Sequence, residues 1–147
     1  MDKVGDLAAA ANGAKSADIA IVEVGDYESE GSDPTGLAMN GASAPGGFPR
    51  GPGGGTPAPA VLPDDIVTAI AAAQPRTVVV LKNGDPVTLP WADAVSAIRE
   101  VWYPGEEDGN IVADPLFGYA TPDGKSPSRF RCLIAMSLRI RRCSIPE

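Results

Sequence analysis

The sequence predicts an α/β domain: a three-layer sandwich with a mostly parallel sheet and helices on both faces. Three observations predict it. Short apolar runs at 18–24, 77–81 and 97–102 alternate with helical segments at 3–15, 63–73 and 106–116, and strands spaced by helices imply crossover connections. The runs at 18–24 and 77–81 are nearly continuous in apolar residues, as strands covered on both faces are. Finally, 147 residues with 44% hydrophobic content suit one domain with a real core.

The elements follow in order. Residues 3–15 are rich in alanine, the strongest helix former. Asp18-Ile-Ala-Ile-Val-Glu-Val24 is β-branched and ends at Gly25, which marks a strand. An acidic loop from Gly25 to Asp33 comes next. Residues 41–63 then hold seven Gly and six Pro, a composition that predicts an irregular surface loop. Pro63-Asp-Asp-Ile-Val-Thr-Ala-Ile-Ala-Ala-Ala73 starts with proline and two acids, which suit a helix N-terminus and its partial positive charge. Pro75 ends that helix. Thr77-Val-Val-Val-Leu81 is a second strand, adjacent and parallel to the first with the helix as its crossover. Trp91 to Ser96 is a helical turn, Ala97-Ile-Arg-Glu-Val-Trp102 a third strand, and Glu106 to Leu116 a short helix after the Pro104-Gly105 turn.

Charge narrows the functional classes. Twelve basic against nineteen acidic residues give a net charge of −7, which argues against nucleic acid and against anionic membrane surfaces as partners. No apolar run reaches the ~18 residues of a membrane span, and the N-terminal segment lacks the apolar stretch of a signal peptide. A cytoplasmic location is therefore the default expectation. Residues 1–120 hold six Lys/Arg and seventeen Asp/Glu, whereas 121–147 hold six and two; residues 128–147 read as a distinct basic tail. Cys132 and Cys143 form no CxxC pair and no disulfide framework. The chain has no histidine, which removes Ser-His-Asp and Cys-His catalysis and the commonest zinc sites.

Three motif-like stretches fail on inspection. Gly124-Lys125-Ser126 resembles the end of a phosphate-binding loop, but the first glycine would fall at Tyr119. Asp26-x-Glu28-x-Glu30-Gly31 imitates the opening of a calcium loop, yet its twelfth position is Leu37. At most a weak divalent site would result, and no metal or cofactor is expected. Gly51-Pro-Gly-Gly-Gly55 lacks both the strand before it and the helix after it that a dinucleotide fingerprint needs.

The acidic loop is the candidate site. It leaves the C-terminal end of a parallel strand, where ligands bind in open α/β sheets. Asp26, Glu28, Glu30 and Asp33 place four carboxyls in eight positions, and mutual repulsion can raise the pKa of one of them toward that of a general acid. On composition alone a solvated acidic loop is the simpler account. Lys82, Asp85, Trp91, Trp102 and Tyr103 read as turn, core or interface residues.

Residues Ala17-Asp-Ile-Ala-Ile-Val-Glu-Val-Gly-Asp-Tyr-Glu-Ser-Glu-Gly-Ser-Asp33 resemble the C-terminal domain of glycoside hydrolase family 3, the β-glucosidase and β-xylosidase family. The likeness continues in Ala71-Ala-Ala-Gln-Pro-Arg-Thr-Val-Val-Val-Leu81 and Asn83-Gly-Asp-Pro86. It is strongest in Trp102-Tyr-Pro-Gly-Glu-Glu-Asp-Gly-Asn110, Ala113-Asp-Pro-Leu-Phe-Gly118 and Pro122-Asp-Gly-Lys125. The resemblance implies a domain at 1–127 with a Gly/Pro-rich insertion at 42–60, followed by the tail at 128–147. It implies a part in hydrolysing β-glucosides or oligosaccharides, in carbohydrate metabolism. In this family a barrel carries an aspartate nucleophile and the α/β sandwich lends an acid/base glutamate, often in a Gly-Glu-Gly loop. Ser29-Glu30-Gly31 occupies that place, so Glu30 inherits the acid/base role with Glu28 as runner-up, and Tyr27 and Asp33 become substrate-binding candidates. Where the family shows Asp-Arg and Leu-x-Leu-Pro-Gly, this sequence has Asp33-Pro34 and Leu37-Ala-Met-Asn-Gly41. The barrel does not occur in these residues. Retaining hydrolysis needs a second carboxyl roughly 5–5.5 Å from the acid, so the expectation is a barrel partner in trans. The alternatives are a non-catalytic carbohydrate-binding or interaction domain, or an inactive truncated fragment.

Overall fold

A computed structural model of the chain describes residues 7–26, 37–39, 61–122 and 124–125. The predicted insertion at 42–60 and basic tail at 128–147 lie outside these residues. Helix α1 spans Leu7–Ser16, strand β1 Ala20–Gly25, helix α2 Pro63–Ala73 and strand β2 Thr77–Lys82. A 3-10 turn at Ala92–Ala94 precedes strand β3, Ala97–Glu100, and a second at Gly105–Glu107 runs into helix α3, Asp108–Leu116. The third strand stops two residues before Trp102, the end expected from its apolar run, because the backbone leaves the extended region at Trp102.

Among the described residues the sheet has the order β1-β2-β3 and is wholly parallel. Ala20 pairs with Thr77 and Gly25 with Lys82, while Leu81 pairs with Glu100. The first two strands are thus adjacent and parallel, with α2 as the connection between them. Strand geometry sends alternate side chains to opposite faces. Val22, Val24, Val79 and Leu81 form one face and pack with Val67 of α2, Met39, Val87, Leu89 and Trp91 in a single core. Lys82, on the other face with Val80, reaches Asp108, the first residue of α3. Helices therefore stand on both faces. The second face of β1 departs from the expectation of continuous burial: Ile21 and Glu23 are exposed there while Val22 and Val24 are buried.

Polar contacts fasten the layers. The buried Gln74, at the C-terminal cap of α2, donates its Nε2 to the carbonyl of Ala17 at 2.5 Å, which ties the end of α1 to α2. The Trp91 indole N–H donates to Asp64 Oδ1 at 2.7 Å, joining the segment before β3 to the first turn of α2. A Cβ at Gly25 would collide with the carbonyl oxygen of Lys82, so only glycine lets β1 and β2 approach this closely at their C-terminal ends.

Leu81→Ala, at the centre of the core, is expected to cost about 2–5 kcal/mol in urea denaturation, against less than about 0.5 kcal/mol for Ile21→Ala on the exposed face. Gly25→Ala is expected to lower stability by about 1–3 kcal/mol; an unchanged midpoint would show that the two strands can part there without cost.

Candidate active site

The C-terminal ends of the three strands bring Asp26, Lys82, Asn83, Asp85 and Glu100 to one edge of the sheet. Sequence decides this directly. The register aligns Val24, Leu81 and Glu100 across the core face, so Glu100 takes the position after Ile98 in a row that is otherwise apolar. Asp26 is the first residue beyond β1, and its backbone N–H donates to the Lys82 carbonyl at 3.3 Å.

Burial shapes the electrostatics. Desolvation pushes the Asp26 carboxyl above its ordinary value; the Tyr103 hydroxyl and the Gly84 backbone oppose the shift, and the charge of Asp85 adds to it. Tyr103 donates to Asp26 Oδ1 at 3.3 Å. Glu100 is shifted further, up to about 7, by burial first and by the charge of Asp26 in addition, against the lowering effect of the Trp102 and Val101 backbone N–H groups. Its Oε1 accepts the Trp102 N–H at 2.7 Å. Like charges and low solvation together favour the neutral acid.

Lys82 is not the turn residue expected from its place before Asn83-Gly84. It closes β2 and donates to Glu23 at 2.8 Å and Asp108 at 2.7 Å. Burial works against its charge, but these two carboxylates outweigh it and its pKa is raised. Its charge therefore belongs to the second face of the sheet, where it links β1, β2 and α3. Asn83 is fully buried and donates its amide to the Asp85 carbonyl. Trp91 is core, as expected. Tyr103, read as a core or interface residue, is half exposed at the strand edge, which excludes the core. Among the described residues no group of three acids, cysteines or histidines is placed to hold a metal ion.

The predicted site residues Tyr27, Glu28, Glu30 and Asp33 lie outside the described residues, which bracket them on both sides. Asp26 is fixed to the end of β2, and the Leu37 carbonyl accepts both the N–H of Thr88, at 2.7 Å, and its hydroxyl, at 3.0 Å. Met39 then enters the core with 1% of its surface exposed. Both ends of the acidic segment are thus held close to β2 and the chain that follows it. Sequence reading missed Glu100. Its place follows only from the pairing of β3 with β2, which sets it in register with Leu81.

A family model described as the Glycosyl hydrolase family 3 C-terminal domain matches residues 3–133. The chain belongs to glycoside hydrolase family 3. Beta-glucosidase B of Emericella nidulans is 38% identical over 129 residues, which cover 84% of this chain and 13% of that protein. Probable beta-glucosidase J of Aspergillus fumigatus is 48% identical over 67 residues, 46% of this chain and 8% of that protein. Among solved structures, a beta-glucosidase from Kluyveromyces marxianus in complex with glucose superposes with a TM-score of 0.65 at 30% identity, covering 85% of this chain and 13% of that one. DesR, a beta-glucosidase from Streptomyces venezuelae in complex with D-glucose, gives a TM-score of 0.60 at 29% identity over 77% of this chain and 12% of that one. The family 3 chain described here spans 8–13% of the length of these two curated relatives.

The strand-edge acids make a pH prediction for this family 3 domain. Glu100 has a folded pKa of about 7 against an ordinary 4.5, so the folded state holds its proton more tightly than the unfolded chain. Its contribution to stability is complete below about 4.5 and is lost as pH rises through about 7; the raised Asp26 acts in the same direction. The slope stays below about 1.4 kcal/mol per pH unit, because solvent screens a partly exposed carboxyl. Thermal melts of the wild type and Glu100→Gln should diverge as pH rises from 5 to 8, with the variant losing less. Parallel curves would contradict the assignment.

Proposed function

We propose that the chain acts as the C-terminal domain of a β-glucosidase-type glycoside hydrolase, helping to hydrolyse the O-glycosidic bonds of β-glucosides. The family match over residues 3–133 carries this reading, supported by the glucose-bound beta-glucosidases that share its fold. Glu30 supplies the acid/base carboxylate, with Glu28 as the second candidate, and Tyr27 and Asp33 contribute to the sugar site. A partner barrel brings the nucleophile.

The physical case starts at Asp26. Asp26, Asp85 and Glu100 gather negative charge at the end of β1, two positions before Glu28 in the sequence. Such a field raises the pKa of a neighbouring glutamate and keeps it protonated near neutral pH. A protonated carboxyl gives its proton to the departing glycosidic oxygen while the partner nucleophile attacks the sugar carbon; the resulting carboxylate then takes a proton from the water that releases the sugar. The sequence carries one half of that pair.

Two measurements test the reading. The purified chain alone should hydrolyse an activated aryl β-glucoside barely or not at all, because its nucleophile comes from elsewhere. Joined to a family 3 barrel, Glu30→Gln should lower kcat/KM, which reports the step that expels the leaving group, by roughly 10²–10⁴-fold on alkyl glucosides, and much less on aryl glucosides, whose phenol departs without protonation. Equal losses on both substrates would remove Glu30 from the acid role, and the same comparison with Glu28→Gln would then decide for its neighbour. Robust turnover by the chain alone would instead mean that its own acids complete the pair.

A further inference from the structure

Strand β3 leaves the sheet by a costly route. Trp102 has φ +53°, and among the described residues no other non-glycine residue has a positive φ. Bulky residues avoid this left-handed region, and those found in it are held there by their surroundings. Here Val101 continues the ladder, its N–H donating to the Leu81 carbonyl at 3.0 Å, and the chain then turns at Trp102. The Trp102 N–H donates to Glu100 Oε1 at 2.7 Å, so the strand's last residue grips the turn that ends it. The next side chain, Tyr103, points its hydroxyl at Asp26, 3.3 Å from Oδ1 and 3.4 Å from the carbonyl oxygen.

A carboxylate is a poor choice for this place on stability grounds. Glu100 sits in the row of Val24 and Leu81, and its Oε2 is buried without a hydrogen-bond partner. An apolar side chain would satisfy the row, but it would remove the carboxylate oxygen that accepts the Trp102 N–H. We propose that Glu100 is a positioning residue: by accepting the Trp102 N–H it holds the left-handed turn that carries the Tyr103 hydroxyl to Asp26, and so fixes the point where the acidic segment leaves the sheet. Only its effect on turnover rests on the β-glucosidase reading.

Ionised Glu100 grips the turn harder than neutral Glu100, since charged hydrogen bonds are roughly twice as strong as neutral ones. The charged neighbour that faces it from β1 is Asp26, which in turn faces Asp85 after β2. The groove between β3 and α3 adds Arg99, Glu107, Asp114 and Lys125.

The experiment is a pH titration of the isotope-labelled full chain followed by NMR. In the wild type, the Trp102 amide and the Tyr103 ring resonances should shift together with one midpoint near 7. In Glu100→Gln both should stay at their low-pH positions. Trp102→Gly covers the case of a poorly folded variant: glycine takes the left-handed turn unaided, so its Tyr103 signals should keep the high-pH position throughout. Tyr103 signals that ignore the Glu100 titration overturn the proposal. In the barrel-joined protein, Glu100→Gln should lower kcat by about 10- to 100-fold while changing KM less. If the NMR coupling holds but Glu30→Gln and Glu28→Gln leave glucoside turnover intact, the acid assignment fails and the positioning role stands.

Discussion

The approach of β1 to β2 at their C-terminal ends is the constraint on which the site depends. Gly25 lies against the Lys82 carbonyl, and the next residue, Asp26, donates its N–H to the same oxygen. One backbone atom of β2 therefore fixes both where β1 ends and where the acidic segment begins. A side chain at Gly25 would push the strands apart and move Asp26 away from Tyr103 and Gly84. The core beneath, Val24 against Leu81 and Val67, supplies the burial that keeps the approach tight. It also removes water from Asp26 and Glu100, and so raises both carboxyls.

Most of the fold was legible because each element carried its own local signal. Pro63, two acids and an alanine run marked α2 to the residue. The β-branched run at 77–81 could not hide as a helix of so short a length. Strand pairing followed from the helix between the two runs. Less legible was the covering of β1, whose Ile21 reads as apolar in sequence and is exposed in the structure, since neighbours on the second face are set by tertiary packing. Met39 shows the reverse. It falls where the family pattern has a leucine, and it anchors the core.

The site was legible only in part. The acidic segment announced itself by composition, but its partners did not. Glu100 looked like a charged residue near a strand end, and nothing local distinguishes a solvated glutamate from one in register with Leu81. That distinction needs the pairing of β2 with β3. Tyr103 is similar, because its contact with Asp26 joins residues 77 positions apart. Lys82 was misread for a simpler reason: a lysine before Asn-Gly resembles a turn, while its two carboxylate partners lie far away in sequence.

The bond between Trp91 and Asp64 has a mechanical consequence. It rivets the connection from β2 to β3 onto the helix that connects β1 to β2, so neither crossover can open while the other stays closed. Elements fastened to one another in this way open together rather than singly. The spacing among the three strand ends then becomes a property of the whole core. That edge is therefore a rigid plate, its shape set by contacts on the opposite side of the core.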